Sequence, residues 1–200
     1  MQSPQPTACG PSTLARARRW PAIVAVLAAL LASCGAVPQP SPAPVEQLGG
    51  GISPETVTLD FFKDLGDALR DPNLRSDDRR AYWVDRLAGY FAPNERDDQR
   101  LALREALGSF AHDLEGLAED EKLTIELRGF DLVEGDVAAD GRQATVRLPE
   151  ATIYMLITRA TDQGPLTIYE QPIGFDRVIG SPEKSVPLVK IGGRWYLTEG

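Results

Sequence analysis

The hydrophobic period of this 200-residue chain changes once, between Leu117 and Leu123. Before the change, apolar residues recur every three or four positions, which is the period of an amphipathic helix. After it, apolar and polar residues alternate, which is the period of a half-buried strand. A run of helices followed by a run of strands favours an α+β domain, with the helices packed on one face of an antiparallel sheet.

Three helices are predicted in the first half of the folded part. Ser53-Pro54 is typical of an N-cap followed by proline at the first helical position. A second helix is expected over residues 76–93, and a third from Asn94. The three predicted apolar stripes are Val57, Phe61, Phe62, Leu65 and Leu69; Trp83, Leu87 and Phe91; and Leu103, Leu107, Phe110, Leu114 and Leu117.

Strands are predicted from Leu123 onward, where the alternation begins. Residues 151–160 are apolar on both faces at their centre, which predicts a strand that is covered on both sides. Near the C-terminus, Gly192-Gly193 separates two alternating segments. This pair predicts a two-residue hairpin, because such turns need positive φ at both central positions.

The N-terminal segment has the layout of a secretory signal. Arg16, Arg18 and Arg19 are the only charged residues before Glu46, and an apolar run follows them. That run has about 13 residues and is too short to cross a bilayer as a helix, which needs roughly 20. A basic segment, a short apolar segment and then small residues predict a signal peptide over residues 1–33.

The signal segment ends in Leu31-Ala32-Ser33-Cys34, which resembles the lipobox of bacterial lipoproteins. The resemblance implies lipidation of the Cys34 thiol, cleavage just before it and acylation of the new N-terminus. It also implies a lipid-anchored location on the extracytoplasmic face of a bacterial membrane. Gly35 is not the aspartate that signals retention at the inner membrane, so the outer membrane is favoured where one is present. A plain signal peptide with a chance cysteine is the alternative.

A tether is predicted between the lipidated cysteine and the folded domain. Residues 35–51 contain four prolines and end in three glycines, Gly49 to Gly51. Proline-rich chain is extended and semi-rigid, at about 3.1 Å per residue, whereas glycine-rich chain is flexible. The sequence therefore divides into a signal peptide (1–33), a lipidated cysteine with its tether (34–51) and one domain (52–200).

The composition excludes several classes of function. The chain has 21 Lys and Arg against 29 Asp and Glu, a formal net charge of −8. Such a balance argues against a nucleic-acid-binding protein, because phosphate contacts need a basic face. One histidine and two distant cysteines cannot form a multi-histidine or Cys₄ metal site. The sequence also lacks the common phosphate-binding, dinucleotide-binding, zinc-protease and serine-hydrolase motifs, so no metal or cofactor is predicted.

The predicted order of elements is similar to the NTF2-like superfamily, which includes the SnoaL-like proteins. The resemblance is carried by an opening helix, two turns before a strand, and a final strand. These segments are Pro54-Glu55-Thr56-Val57 with Phe61-Phe62, Gly135-Asp136, Asp140-Gly141-Arg142 and Gly193-Arg194-Trp195-Tyr196-Leu197. The resemblance implies a cone, in which a curved antiparallel sheet wraps around three helices and a pocket opens inside. Because NTF2-like domains often dimerise through the sheet, it is also compatible with a homodimer.

Four polar residues on the predicted strands could face the interior of such a cone. They are Tyr154, Arg159, Tyr169 and Asp176. The alternative is that they lie on the outer face or make packing and hydrogen-bond contacts.

Other polar residues are expected to face solvent. His112, the only imidazole, lies about 200° around its helix from the apolar stripe. The acidic cluster Glu115, Glu119, Asp120 and Glu121 lacks the ligand spacing and the glycine of a calcium-binding loop, so it is expected to be a solvated helix end.

Two functions from different classes follow from these patterns. The first is a lipid-anchored, non-catalytic module that binds a small apolar ligand or an envelope protein. The second is a SnoaL-like enzyme of the isomerase or hydratase type, acting on a small hydrophobic substrate with Asp176 beside Tyr154 or Tyr169. Such an enzyme requires a pocket carboxyl group whose pKa its surroundings raise toward neutrality. Because the residues present no catalytic set, the non-catalytic module is favoured.

Overall fold

The computed structural model describes residues 49–131, 133–176 and 181–199. Cys34 and the signal segment lie outside the described residues. In this described part of the chain, three long helices precede seven strands, as the change of period predicts. The helices are α1 (Pro54–Leu69), α2 (Asp77–Ala88) and α3 (Arg96–Glu115), and the strands are β1 (Glu121–Arg128), β2 (Glu134–Val137), β3 (Gln143–Arg147), β4 (Thr152–Thr161), β5 (Gly164–Gly174), β6 (Ser185–Ile191) and β7 (Arg194–Leu197). Within these ranges, no helix has both the length and the apolar character needed to cross a membrane.

Helix α1 begins where the sequence predicts. The Ser53 hydroxyl accepts a hydrogen bond from the Thr56 backbone N–H at 3.2 Å, and Pro54 occupies the first turn. This cap satisfies one of the backbone donors that the start of every helix leaves unpaired. The predicted stripe is confirmed, and every member is at most 7% exposed: Val57, Phe61, Phe62, Leu65 and Leu69.

Helix α2 is shorter than predicted, because the chain after it pairs with a strand. It ends at Ala88 and not at Pro93. In β7, the Leu197 N–H donates to the Tyr90 carbonyl, and the Leu197 carbonyl accepts from the Ala92 N–H, both at 2.9 Å. Backbone that makes these bonds to a strand cannot also continue the bonding pattern of a helix.

The strands form two antiparallel sheets in the described residues, where the sequence predicts a single curved one. Their orders are β1-β4-β5 and β2-β3-β6-β7. The sheets separate where β3 gives way to β4, because a turn closed by the Ala151 N–H and the Leu148 carbonyl at 3.1 Å intervenes. Strand β4 then pairs with β1 and β5. The α+β class is confirmed, and the prediction of one sheet is wrong.

Strand β2 includes Gly135 and Asp136, which the sequence pattern predicts as a turn. Gly135 pairs with Val146 of β3. A Cβ at Gly135 would meet the carboxylate end of the Glu55 side chain of α1, which lies against the strand at this point. A glycine placed for close approach has the same sequence signal as one placed for a turn.

Strand β4 is buried on one face only. Ile153, Met155 and Ile157 are at most 7% exposed, whereas Tyr154 and Leu156 on the other face are half-buried. The prediction of a strand that is fully covered on both sides is therefore wrong. On this second face, the Arg128 side chain of β1 partly covers Tyr154.

The hairpin between β6 and β7 has the predicted geometry. Gly192 and Gly193 have φ values of 58° and 83°. The flanking register pairs Ile191 with Arg194 and Lys190 with Trp195. The hairpin places the apolar residues of β7 in the core that all three helices share with both sheets.

The three glycines predicted to end the tether belong to the folded domain. Gly51 forms an antiparallel bridge with Trp195 of β7. The described domain therefore includes Gly49 to Gly51, three residues more than the predicted boundary at residue 52. Hydrogen bonds hold the backbone of Gly50 and Gly51, which therefore do not act as a flexible joint.

Candidate functional site

Tyr154 and Tyr169 lie on opposite faces of the three-stranded sheet. The register pairs Tyr154 with Pro172, and Ile157 with Tyr169. Because successive strand residues point to opposite faces, Tyr169 shares the core-facing side with Ile157, and Tyr154 lies on the other side. The two tyrosines cannot line the same pocket.

On the outer face, Tyr154 takes part in a stacked charge cluster. The Arg128 guanidinium lies 4.0 Å from the centre of the Tyr154 ring. The Arg128 side chain also forms ion pairs with Glu126 at 2.6 Å and with Glu170 at 3.7 Å. These contacts neutralise the guanidinium and cover the ring on an otherwise open face.

Arg159 lies near the far end of β4 and is paired with two carboxylates. Its guanidinium is 2.7 Å from Glu121 and 3.4 Å from Asp120. Asp176 lies at the other end of the hairpin, in a short helical segment after β5. The structure thus distributes the four predicted pocket residues over both faces and both ends of the sheet.

The acidic residues of the predicted solvated helix end contact two different partners, His112 and Arg159. His112 has an 83% exposed side chain, which confirms that it faces solvent, and its Nδ1 lies 3.3 Å from Glu115. Asp120 and Glu121 instead hold Arg159. In the described part of the chain, no group of three acidic, histidine or cysteine side chains is arranged to hold a metal ion.

A buried polar cluster that the sequence pattern did not predict lies between α1 and α2. The Asp64 side chain is 5% exposed. It accepts hydrogen bonds from Arg86 Nε at 2.7 Å, from Arg86 Nη2 at 2.9 Å and from the Tyr90 hydroxyl at 2.6 Å. A signal for this cluster is present in the sequence. Asp64 is three residues after Phe61 and seven after Val57, so it is an acid within the apolar stripe.

The contacts of this cluster suit positioning better than proton transfer. Burial, together with the hydrogen bond to Asp64, raises the pKa of Tyr90, so the hydroxyl stays protonated and acts as a donor. The hydrogen bond from Arg86 to Asp64 raises the pKa of that guanidinium. With both carboxylate oxygens engaged by fixed donors, Asp64 orients Tyr90 and ties α1 to α2.

A second carboxylate holds the connection between the same helices. Asp71, just after α1, accepts from Trp83 Nε1 at 2.7 Å and from the Asn73 N–H at 2.9 Å, and it also pairs with Arg79. Burial acts to raise the pKa of Asp71, but these hydrogen bonds outweigh it and hold the pKa below its usual value. The turn after α1 is therefore built around an anion.

A third cluster joins the C-terminal segment to the start of α3. Glu95 accepts from the Thr198 hydroxyl at 2.6 Å and from the Glu199 N–H at 3.1 Å. The amide of Gln99, a residue that is 1% exposed, donates to Glu199. Burial, and then the nearby charges of Glu95 and Asp98, raise the pKa of Glu199.

Replacing Asp64 with Asn should destabilise the domain by about 2 kcal/mol, because Arg86 and Tyr90 lose a charged acceptor in a buried site. Urea unfolding should show a lower midpoint with an unchanged m-value. Asp60→Asn, an exposed position on the same helix, is the control and should change the free energy of unfolding by less than about 0.5 kcal/mol. Equal midpoints for the two variants would contradict a stabilising role for the cluster.

Replacing Glu199 with Gln should remove a pH-dependent part of the stability. The pKa of Glu199 is higher in the folded state, so its contribution is present below the unfolded pKa and is lost as the pH rises through the folded pKa. The free energy of unfolding of the wild type minus that of Glu199→Gln should therefore be smaller at neutral pH than at a pH of about 4.

Unfolding in urea at both pH values measures this difference. Glu119→Gln, at an exposed loop position, serves as the control and should keep the pH dependence of the wild type. A gap between wild type and Glu199→Gln that is the same at both pH values would be inconsistent with the raised pKa.

No protein-family model matches the chain, and no curated protein sequence matches it. A solved structure, that of Aln2 from a Streptomyces species, is similar at a TM-score of 0.31 and 15% sequence identity, and the match covers 72% of this chain and 87% of that one. A likeness of this strength carries no argument about family or activity.

Proposed function

We propose that this chain is a lipoprotein, held by lipidated Cys34 on the extracytoplasmic face of a bacterial membrane. Its folded domain acts there as a non-catalytic module that binds a ligand or a partner protein. The observation that carries the proposal is the lipobox Leu31-Ala32-Ser33-Cys34, placed directly after a basic and then an apolar segment.

Two buried carboxylates support a non-catalytic role. Asp64 and Asp71, whose side chains are each 5% exposed, hold helices together through fixed donors. Catalytic acids and bases need a proton that can move to or from a substrate. A carboxylate committed to an arginine and an aromatic donor is poorly suited to that task.

Strand β5 is the surface that best suits a partner protein. It is an outer strand of its sheet, and within the described ranges it pairs only with β4. Leu166 and Ile168 on this strand are 57% and 38% exposed. An outer strand with exposed apolar side chains offers both backbone hydrogen bonds and apolar contact to an extended segment of another protein.

Replacing Cys34 with Ala should release the protein from the membrane, because the acylated thiol would be lost. Fractionation and metabolic labelling with palmitate measure both effects. Ser33→Ala, which keeps a small residue in the lipobox, should stay labelled and membrane-bound. Retention of Cys34→Ala in the membrane fraction, or wild-type protein without label, would contradict the proposed anchor.

A photo-crosslinking phenylalanine derivative at position 166 or 168 should form a discrete adduct with a partner in the producing cells. The same derivative at Leu101, which is 64% exposed on α3, is the matched control and should give no such adduct. Gel mobility and mass spectrometry identify the adduct. Equal adducts from all three positions, or none from β5, would count against this surface.

A further inference from the structure

We infer that Gly49, Gly50 and Gly51 form a glycine clip, a segment that fixes the end of the proposed tether to the domain at one defined point. The clip lies between the edge of β7 that faces away from β6 and the C-terminal end of α2. The inference goes beyond the proposed anchor, because it concerns how the tether joins the domain and not what the tether carries.

Backbone hydrogen bonds hold the clip on two sides. The Gly51 N–H donates to the Trp195 carbonyl, and the Trp195 N–H donates to the Gly51 carbonyl, both at 2.9 Å. The Gly50 N–H donates to the Gly89 carbonyl at 3.2 Å. The Gly50 carbonyl accepts from Arg194 Nη2 at 2.9 Å. These bonds connect the segment to both a strand and a helix end.

Each of the three positions excludes a side chain. A Cβ would lie 2.0 Å from the Gly89 carbonyl oxygen at Gly49, 2.5 Å from the Trp195 carbonyl oxygen at Gly50, and 2.5 Å from Val57 Cγ2 at Gly51. Gly49 and Gly50 also have φ values of 136° and 63°, which side chains disfavour. The run of glycines is therefore explained by close approach of the backbone.

The clip shortens the tether and limits how the domain can rotate on it. This consequence rests on the proposed lipid anchor. The proposed tether then comprises residues 35–48, and 14 residues would have a maximal reach of roughly 43 Å as extended polyproline chain. A flexible glycine joint would let the domain turn freely at its own surface. With the clip in place, the β7 edge of the domain stays next to the point where the tether begins.

Hydrogen–deuterium exchange on the full chain in detergent micelles tests the clip. The peptides to follow are those covering residues 48–53 and 193–197. In the wild type, the amides of Gly50, Gly51 and Trp195 should exchange at least about 10-fold more slowly than unstructured peptide. Exchange of Gly50 and Gly51 at the unstructured rate would overturn the inference without any variant.

Gly50→Ala should open the clip and speed exchange at residue 51 and at Trp195 by about 10-fold or more. Gly141→Ala is the matched control, because Gly141 has nearly the same φ, 65°, but no atom within 4 Å of an added Cβ. It should leave exchange at the clip unchanged. Wild-type protection of Trp195 in Gly50→Ala would overturn the inference.

The result is separable from the fate of the anchor. Cys34→Ala should show the same protection of Gly51 and Trp195 as the wild type, because the clip depends only on contacts within the domain. If Cys34→Ala leaves the membrane and keeps this protection, both the clip and the anchor are supported. If the lipidated wild type lacks this protection, the clip is refuted and the anchor is not.

Discussion

Strand β7 is four residues long, yet three separate parts of the chain depend on its backbone. Strand β6 pairs along one edge. On the other edge, Trp195 pairs with Gly51, and Leu197 pairs with the backbone on either side of Phe91. Because only alternate residues of a strand point to a given edge, these two positions use the bonding capacity of that edge. Trp195, Tyr196 and Leu197 are at most 4% exposed, so the same strand also contributes to the core.

The two buried acids near α1 follow one design. Asp64 and Asp71 each take an arginine and an aromatic donor from α2 or the residues just after it, namely Arg86 with Tyr90, and Arg79 with Trp83. A shift of α2 along α1 would leave a buried carboxylate facing apolar side chains, which is costly. The pairs thus favour one register of the two helices, whatever they contribute to net stability.

The sequence predicts the parts of this fold that depend on local spacing. The apolar stripe of α1 and the Gly192-Gly193 hairpin follow from period and turn chemistry, and both are confirmed. The end of α2 and the role of Gly49 to Gly51 depend on β7, more than 100 residues away, and no local pattern encodes that contact. The same distinction holds for the polar residues. The exposure of His112 follows from its position on a helix. The placement of Tyr154 and Tyr169 on opposite faces depends on the register of β4 and β5, which local spacing does not give.

The pairing of Gly51 with Trp195 also constrains the order in which the domain can assemble. Arg194 and Gly50, in contact at this edge, are 144 residues apart in the chain. Contacts so distant in sequence carry a large loop-closure cost and slow folding. During synthesis the glycines are made long before β7, which is the last of the described strands in chain order. The edge that joins Gly51 to Trp195 therefore cannot form until Arg194–Leu197 are available.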